Sequence, residues 1–206
     1  MYIPAHFAND DRGDLLSVMR EYNFATIVSN LDGAPFATHV PVLVNEDDDG
    51  KVRIEGHVAA ANPHARALAE GAQTLVVFHG PHTYVSPSSY RSANRVPTWN
   101  YIAVHAMGRA RAIADADGKM AILLRLIAFH DPDFAARFAA FDAGLRDSLV
   151  AAIVGFEITV DTLEGKFKLN QHRLSDDLPS LQTAYEAGGE NERALAGWMK
   201  RLGYWS

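Results

Sequence analysis

The chain has 206 residues, 48% of them hydrophobic and 21% charged, with a formal net charge of −6 and no cysteine. This is the composition of an ordinary globular protein. It excludes disulfides and thiolate metal sites, and its acidity argues against a broad surface that tracks nucleic-acid phosphates.

No apolar run approaches the roughly 20 residues needed to span a bilayer, and the opening MYIPAHFANDD lacks the basic and apolar regions of a signal peptide. A cytoplasmic protein with no membrane partner is therefore expected. Residues 1–7 read as an extended arm, since Pro4 blocks an early helix. Asp10 or Asp11 can cap a helix over 12–22 with Leu15, Leu16 and Met19 as its apolar stripe. Strand-like residues 24–30, an Asp-Gly turn at 31–35 and an alternating run at 36–44 spell a hairpin. Pro41 in that second run suits an edge or a bulge. After the acidic turn 45–50 comes an alternating strand at 51–58. A short helix follows, with Asn62 as its N-cap, Pro63 at its first position and Gly71 ending it.

Residues 73–80 read as a buried strand, followed by a polar connection holding Pro81, Pro87, Pro97, Tyr84, Tyr90 and Trp99. A long strand from about 99 to 114, helices at 118–130, 131–141 and 145–154, and a two-strand or bulged run at 156–169 complete the main body. Residues 175–202 read as two amphipathic helices broken at Gly188-Gly189. Hairpin-linked strands without regular long helices argue against a doubly wound parallel sheet. The expectation is a mainly β protein with appended helices, built on a small antiparallel barrel.

Nine histidines are many for this length, but His79 and His82, separated by Gly-Pro, are not aimed at one point by any obvious local geometry, and no metal site is expected. The dinucleotide, P-loop and hydrolase-elbow signatures are absent. The segment around His57, Ala59, Ala60, Ala61 and Asn62 joins a strand end to a helix start. There, backbone N–H groups attract anions, and an ordinary capped helix reads equally well. Lys166 and Lys168 share one strand face with Gln171 beyond them, which serves either an anion contact or a guarded edge strand. Trp99, Asn100 and Tyr101 offer two rings and an amide to a planar heterocycle, or pack in a core.

Taken together, MYIPAHF at the start, GHVAAANPH at 56–64, HGPHTYVSPSSY at 79–90, VPTWNYIAVHAMG at 96–108 and LEGKFKLNQ at 163–171 resemble, in order, the signature blocks of the PaiB-like FMN-binding negative transcriptional regulators. The sequence departs from the family pattern at Ser89, Asn170 and His172. The resemblance implies a six-stranded antiparallel split β-barrel over 1–172, a helical extension over 173–206 packed on it, a homodimer, and FMN as cofactor. It places phosphate contacts on His57, Ala59, Ala60, Ala61 and Asn62, ring contacts on His39, Trp99, Asn100 and Tyr101, and further contacts on Lys166 and Gln171. It implies a regulatory or redox-linked role. An NAD(P)H-dependent flavin reductase and a haem-binding protein are the alternatives. No helix-turn-helix or basic recognition helix is visible, so direct DNA binding is not expected.

Overall fold

The structure is a computed structural model that describes residues 1–92, 94–171 and 175–205. The boundary expected at 172/173 and the departure at His172 lie outside the described residues. The element order is β1 (Ala8–Asn9), α1 (Arg12–Glu21), β2 (Phe24–Leu31), β3 (Ala34–Pro41), β4 (Leu43–Glu46), β5 (Val52–Ala59), α2 (His64–Ala69) and β6 (Gln73–Val85). Then follow β7 (Thr98–Ile113), α3 (Ala116–His130), α4 (Phe134–Ala139), α5 (Ala143–Ala151), β8 (Ile153–Lys168), α6 (Leu178–Glu186) and α7 (Glu190–Arg201). The strands pair in the order β3-β2-β6-β7-β8-β5-β4, with β1 added to β8. The chain divides into two compact units, and the long strands β6, β7 and β8 each give one stretch to each of them.

The unit formed by Met19–Phe78 and His105–Leu163 carries the expected hairpin. Asp32 and Gly33 both have positive φ, 54° and 84°, and Leu31 pairs with Ala34 across them. That is the two-residue turn whose twist matches paired strands. The strands alternate. Ala25 and Ile27 on β2, Val52, Ile54 and Val58 on β5, and Phe156 and Ile158 on β8 turn inward. Ile122 and Leu126 of α3 join Leu43 and Ile113 in a second apolar cluster. Gly108 is required by close approach, because a Cβ there would stand 2.0 Å from the Thr159 carbonyl oxygen. The expected single strand 36–44 is broken. β3 stops at Pro41, which has no N–H for the ladder, and Val42 donates instead to the Asn23 carbonyl at 2.9 Å.

The other unit comprises Met1–Val18, His79–Val104 and Glu164–Ser206. Phe7 of the N-terminal arm, Leu15, Leu16 and Val18 of α1, Phe167 and Leu169, and Leu181, Leu195 and Met199 of the last two helices form its core. The ring of Phe167 meets that of Trp198 edge-on, with centroids 5.6 Å apart. The N-cap of α1 is Asp11, whose Oδ1 accepts from the Asp14 N–H at 2.8 Å.

Two expectations are corrected. The sheet has eight strands rather than six, because the chain breaks at Val42 and the arm adds the two-residue β1. The strand expected to end at Gly80 runs on to Val85. Gly80 and Pro81 are both buried, which breaks the in-out alternation as a bulge does. The phase shift leaves His79, His82 and Tyr84 all facing outward.

Candidate functional site

The expected site residues fall into two groups, one in each unit. In the unit built on β2, β3 and β5, Asn62 is not the N-cap it was expected to be. Pro63 holds that position without a side-chain cap. Asn62 Oδ1 accepts from the His64 N–H at 2.9 Å, and its Nδ2 donates to Thr38 Oγ1 at 3.3 Å. His64 is fully buried, with Nδ1 3.0 Å from Thr38 Oγ1 and Nε2 2.9 Å from Ser29 Oγ. Ser29 Oγ lies 2.8 Å from Thr74 Oγ1, and Thr74 donates to the Ala72 carbonyl at 3.2 Å.

The last bond fixes the directions up to the His64 Nε2, and a neutral ring fixes the rest. Thr74 spends its only proton on a carbonyl, so Ser29 donates to Thr74. His64 Nε2–H then donates to Ser29, and Thr38 donates to a bare Nδ1. Burial lowers the His64 pKa and so favours the neutral ring, which with this chain of bonds is the Nε2–H tautomer.

The neighbouring turn has few donors left. The N–H groups of Ala60, Asn62 and Ala65 donate to the carbonyls of Ala152, Ala59 and Asn62 at 2.8–2.9 Å. Among the described residues, the Ala61 N–H has no partner within the chain. Ala59 and Ala61 are exposed. His57 sits half-buried on β5 opposite Gly155, its buried Nδ1 has no partner among the described residues, and burial lowers its pKa. His39 is exposed, 2.8 Å from Thr26 Oγ1 and stacked on Phe24. A hollow of ≈ 430 Å³ in this unit includes Arg20, but that guanidinium already donates to the Val44 carbonyl and pairs with Glu46.

In the other unit, a groove of ≈ 390 Å³ is lined by His79, His82, Trp99, Tyr101, Ile102 and Ala103 together with Gly80. That volume falls within the range of about 300–1,000 Å³ typical of small-molecule sites. Trp99 and Tyr84 are 52% and 51% exposed, although large rings are ordinarily buried. Their rings meet edge-on at 6.0 Å, and His82 lies 6.4 Å from Trp99. His82 Nδ1 faces the Gly80 carbonyl at 3.3 Å, so Nδ1 carries a proton and, in the neutral ring, Nε2 is the acceptor. Lys166 Nζ stands 5.5 Å from the centres of both Tyr101 and Tyr2 and donates to the Tyr2 carbonyl at 3.0 Å.

Asn100 points away from its neighbours Trp99 and Tyr101. It is fully buried, its Nδ2 donates to Tyr185 Oη at 2.8 Å, and its Oδ1 has no partner. Gln171 folds back on its own strand end, donating to the Phe167 carbonyl at 2.6 Å and accepting from the Leu169 N–H at 2.8 Å. Sequence reasoning missed His82, Tyr84 and the His64 network. The alternation of His82, Thr83, Tyr84 and Val85 is the signal that could have found the first two.

Among the described residues no group of three or more His, Asp or Glu side chains could hold a metal ion, and no helix is long and apolar enough to cross a membrane. An aromatic-walled, largely apolar groove fits the ring of a flavin. For a phosphate, the turn at 59–62 offers the Ala61 N–H and the His57 imidazole.

Comparison with known proteins agrees. The family described as "Putative FMN-binding domain" matches residues 1–162. The Bacillus subtilis protein "Protease synthase and sporulation protein PAI 2" is 36% identical over 179 residues, covering 86% of this chain and 85% of that protein. Among solved structures, the FAD and heme binding protein of Mycobacterium smegmatis aligns at a TM-score of 0.63 and 22% identity, over 79% of this chain and 73% of that one. The flavocytochrome Anf3 of Azotobacter vinelandii aligns at 0.64 and 18%, over 81% and 72%. At such identities these structures show the fold alone, a mainly antiparallel sheet with several helices. The family match supports FMN as cofactor, and by it and the Bacillus relative the chain belongs to this FMN-binding domain family.

Proposed function

We propose that this protein is a redox-linked regulatory flavoprotein of the PaiB-like type, binding FMN as a homodimer. Family membership supports the cofactor. The observation that carries the reading is the groove with its exposed Trp99 and half-buried Tyr101, an aromatic wall for a flat ring. Bound FMN supplies one- and two-electron transfer. In one unit Trp99 and Tyr101 hold and orient a flavin ring, with the positive charge of Lys166 beside Tyr101; in the other, His57 and the Ala61 N–H are donors suited to a phosphate. Asn100 and Gln171 act by fixing their own strands, and His39 serves as a contact from an exposed strand.

In the finer fold, with the two-residue β1 of the arm set aside, β3 and β4 act as one strand bent at Val42, giving a six-stranded split barrel over 1–172 with 173–206 as its helical extension. The apolar hollow of Val28, Leu75 and Met107 is surface that a second subunit would cover.

A haem reading is favoured by one observation. His82 presents an Nε2 lone pair at the groove, with its Nδ1–H held by a carbonyl, as metal-bound imidazoles do. The mycobacterial neighbour, moreover, is named as binding both FAD and haem. Purification followed by absorbance and mass analysis of the bound group separates the readings. A flavin spectrum supports FMN, and a Soret band overturns it. Anaerobic NADH or NADPH then tests for a flavin reductase, which would bleach the flavin rapidly. A sequence-specific DNA footprint at physiological salt would run against the net charge of −6 and establish direct repression.

A further inference from the structure

The groove has a back as well as a front. On β6, His82 and Tyr84 face outward, and Thr83 between them points inward, 7% exposed. Its hydroxyl donates to Glu192 Oε1 of α7. On β7, Trp99 is exposed and Tyr101 half-buried, and the fully buried Asn100 between them reaches Tyr185 of α6. Each ring-bearing strand is therefore gripped from behind, midway between its rings, by one residue of the last two helices.

The connection between the strands is gripped too. The buried Asp177, at the start of α6, accepts from the Arg91 and Ser92 N–H groups at 3.1 and 3.0 Å and from Arg95 Nε at 2.7 Å. Ser180 Oγ donates to the Ser89 carbonyl at 2.9 Å.

Apolar packing alone would keep these helices docked, because Leu181, Leu195 and Met199 are fully buried. The polar contacts add direction instead of area. They also carry a cost, since among the described residues the Oδ1 of Asn100 is buried without a partner. A seam of Val and Leu would have no such orphan. What it would lose is the fixed register that hydrogen bonds impose.

We infer that α6 and α7 are a positioning device for the groove. Glu192 and Tyr185 set, through Thr83 and Asn100, the placement of its rings, so that planar-ligand binding at the front and ordering of the helices behind are reciprocally linked. This rests on the flavin reading of the groove.

Riboflavin, which lacks the phosphate, is the probe on the full chain. Thr83→Val and Tyr185→Phe should each weaken riboflavin binding at least about fivefold, the lower end of ordinary coupling between sites. Glu192→Gln keeps an acceptor for Thr83 and should restore near-normal binding. In the wild type, saturating riboflavin should slow amide exchange in 178–201 as well as in 79–85 and 99–103. Slowed exchange in the groove strands, with unchanged exchange in the helices and unchanged affinity in both variants, overturns the inference and leaves the flavin reading standing. No protection of 79–85 or 99–103 overturns both. The wild-type exchange measurement decides the matter even if a variant fails to fold.

Discussion

Around His64, each hydroxyl and imidazole nitrogen is directed at another protein group. Around Trp99, by contrast, polar groups are spent on the inward side and rings are left bare on the outward side. The first arrangement is closed. Asn62, Thr38, His64, Ser29 and Thr74 satisfy one another in sequence, which stabilises a polar core and leaves little to offer a ligand. The second is open, because exposed Trp99 and Tyr84 keep their contact surface for something else. Two regions with similar residue types thus do different work. The difference is whether hydrogen-bonding capacity and apolar surface are used up inside the chain.

Four measurements would break or sharpen that contrast. The largest effect should come from His64→Ala, which leaves the Ser29 and Thr38 hydroxyls without their imidazole partner and opens a cavity. A loss of about 3 kcal/mol in urea unfolding is expected, without a matching loss of riboflavin affinity in the molecules that remain folded. A fall in affinity on the same scale would show that the network is not closed.

Next is His57→Ala. Loss of a hydrogen bond to a charged phosphate should weaken FMN binding roughly ten- to a hundredfold, or about 1.5–3 kcal/mol, while riboflavin is unaffected. Equal losses for both ligands would remove His57 from the phosphate site.

Trp99→Ala should weaken FMN and riboflavin alike, by roughly tenfold, because ring stacking and buried aromatic area are common to both. Flavin fluorescence titration checks this, and a loss confined to FMN would place the ring elsewhere.

The smallest effect is on stability with pH. Burial lowers the pKa of both His57 and His64 in the folded state. Their contribution is complete above the unfolded value of about 6.5, and it is lost as pH falls from there toward the folded values, because the unfolded chain takes up protons first. Thermal midpoints should therefore drop between about pH 8 and about pH 5, and the drop should shrink in His57→Gln. An unchanged drop in that variant would mean that His57 is as solvated folded as unfolded.

Local patterns were legible wherever a short stretch dictates its own geometry. Asp32-Gly33 forms the turn its φ angles demand, Gly71 ends α2 with a φ of 70°, and the Gly188-Gly189 break separates α6 from α7. Pro41 sits where β3 ends, at the break its missing N–H suggested, although the strand expected over 36–44 did not run through it. The misreadings share a cause. Asn62 and Pro63 look like a cap and a first helical position, but Thr38, distant in sequence, claims the amide. Gly80-Pro81 looks like a turn, but strand pairing carries the chain through it as a bulge. Asn100 looks like a ligand contact beside two rings, but strand alternation turns it to Tyr185.

By itself, the sequence determined the family, the cofactor class and the mainly antiparallel character of the fold, because ordered blocks and strand periodicity are written in neighbouring residues. Only the tertiary structure decided which of the expected residues remain available. Whether an imidazole, an amide or a ring is free depends on partners tens to a hundred residues away, such as Tyr185 for Asn100 and Glu192 for Thr83. Hydrogen-bond partners and burial are properties of packing, and no local pattern encodes them.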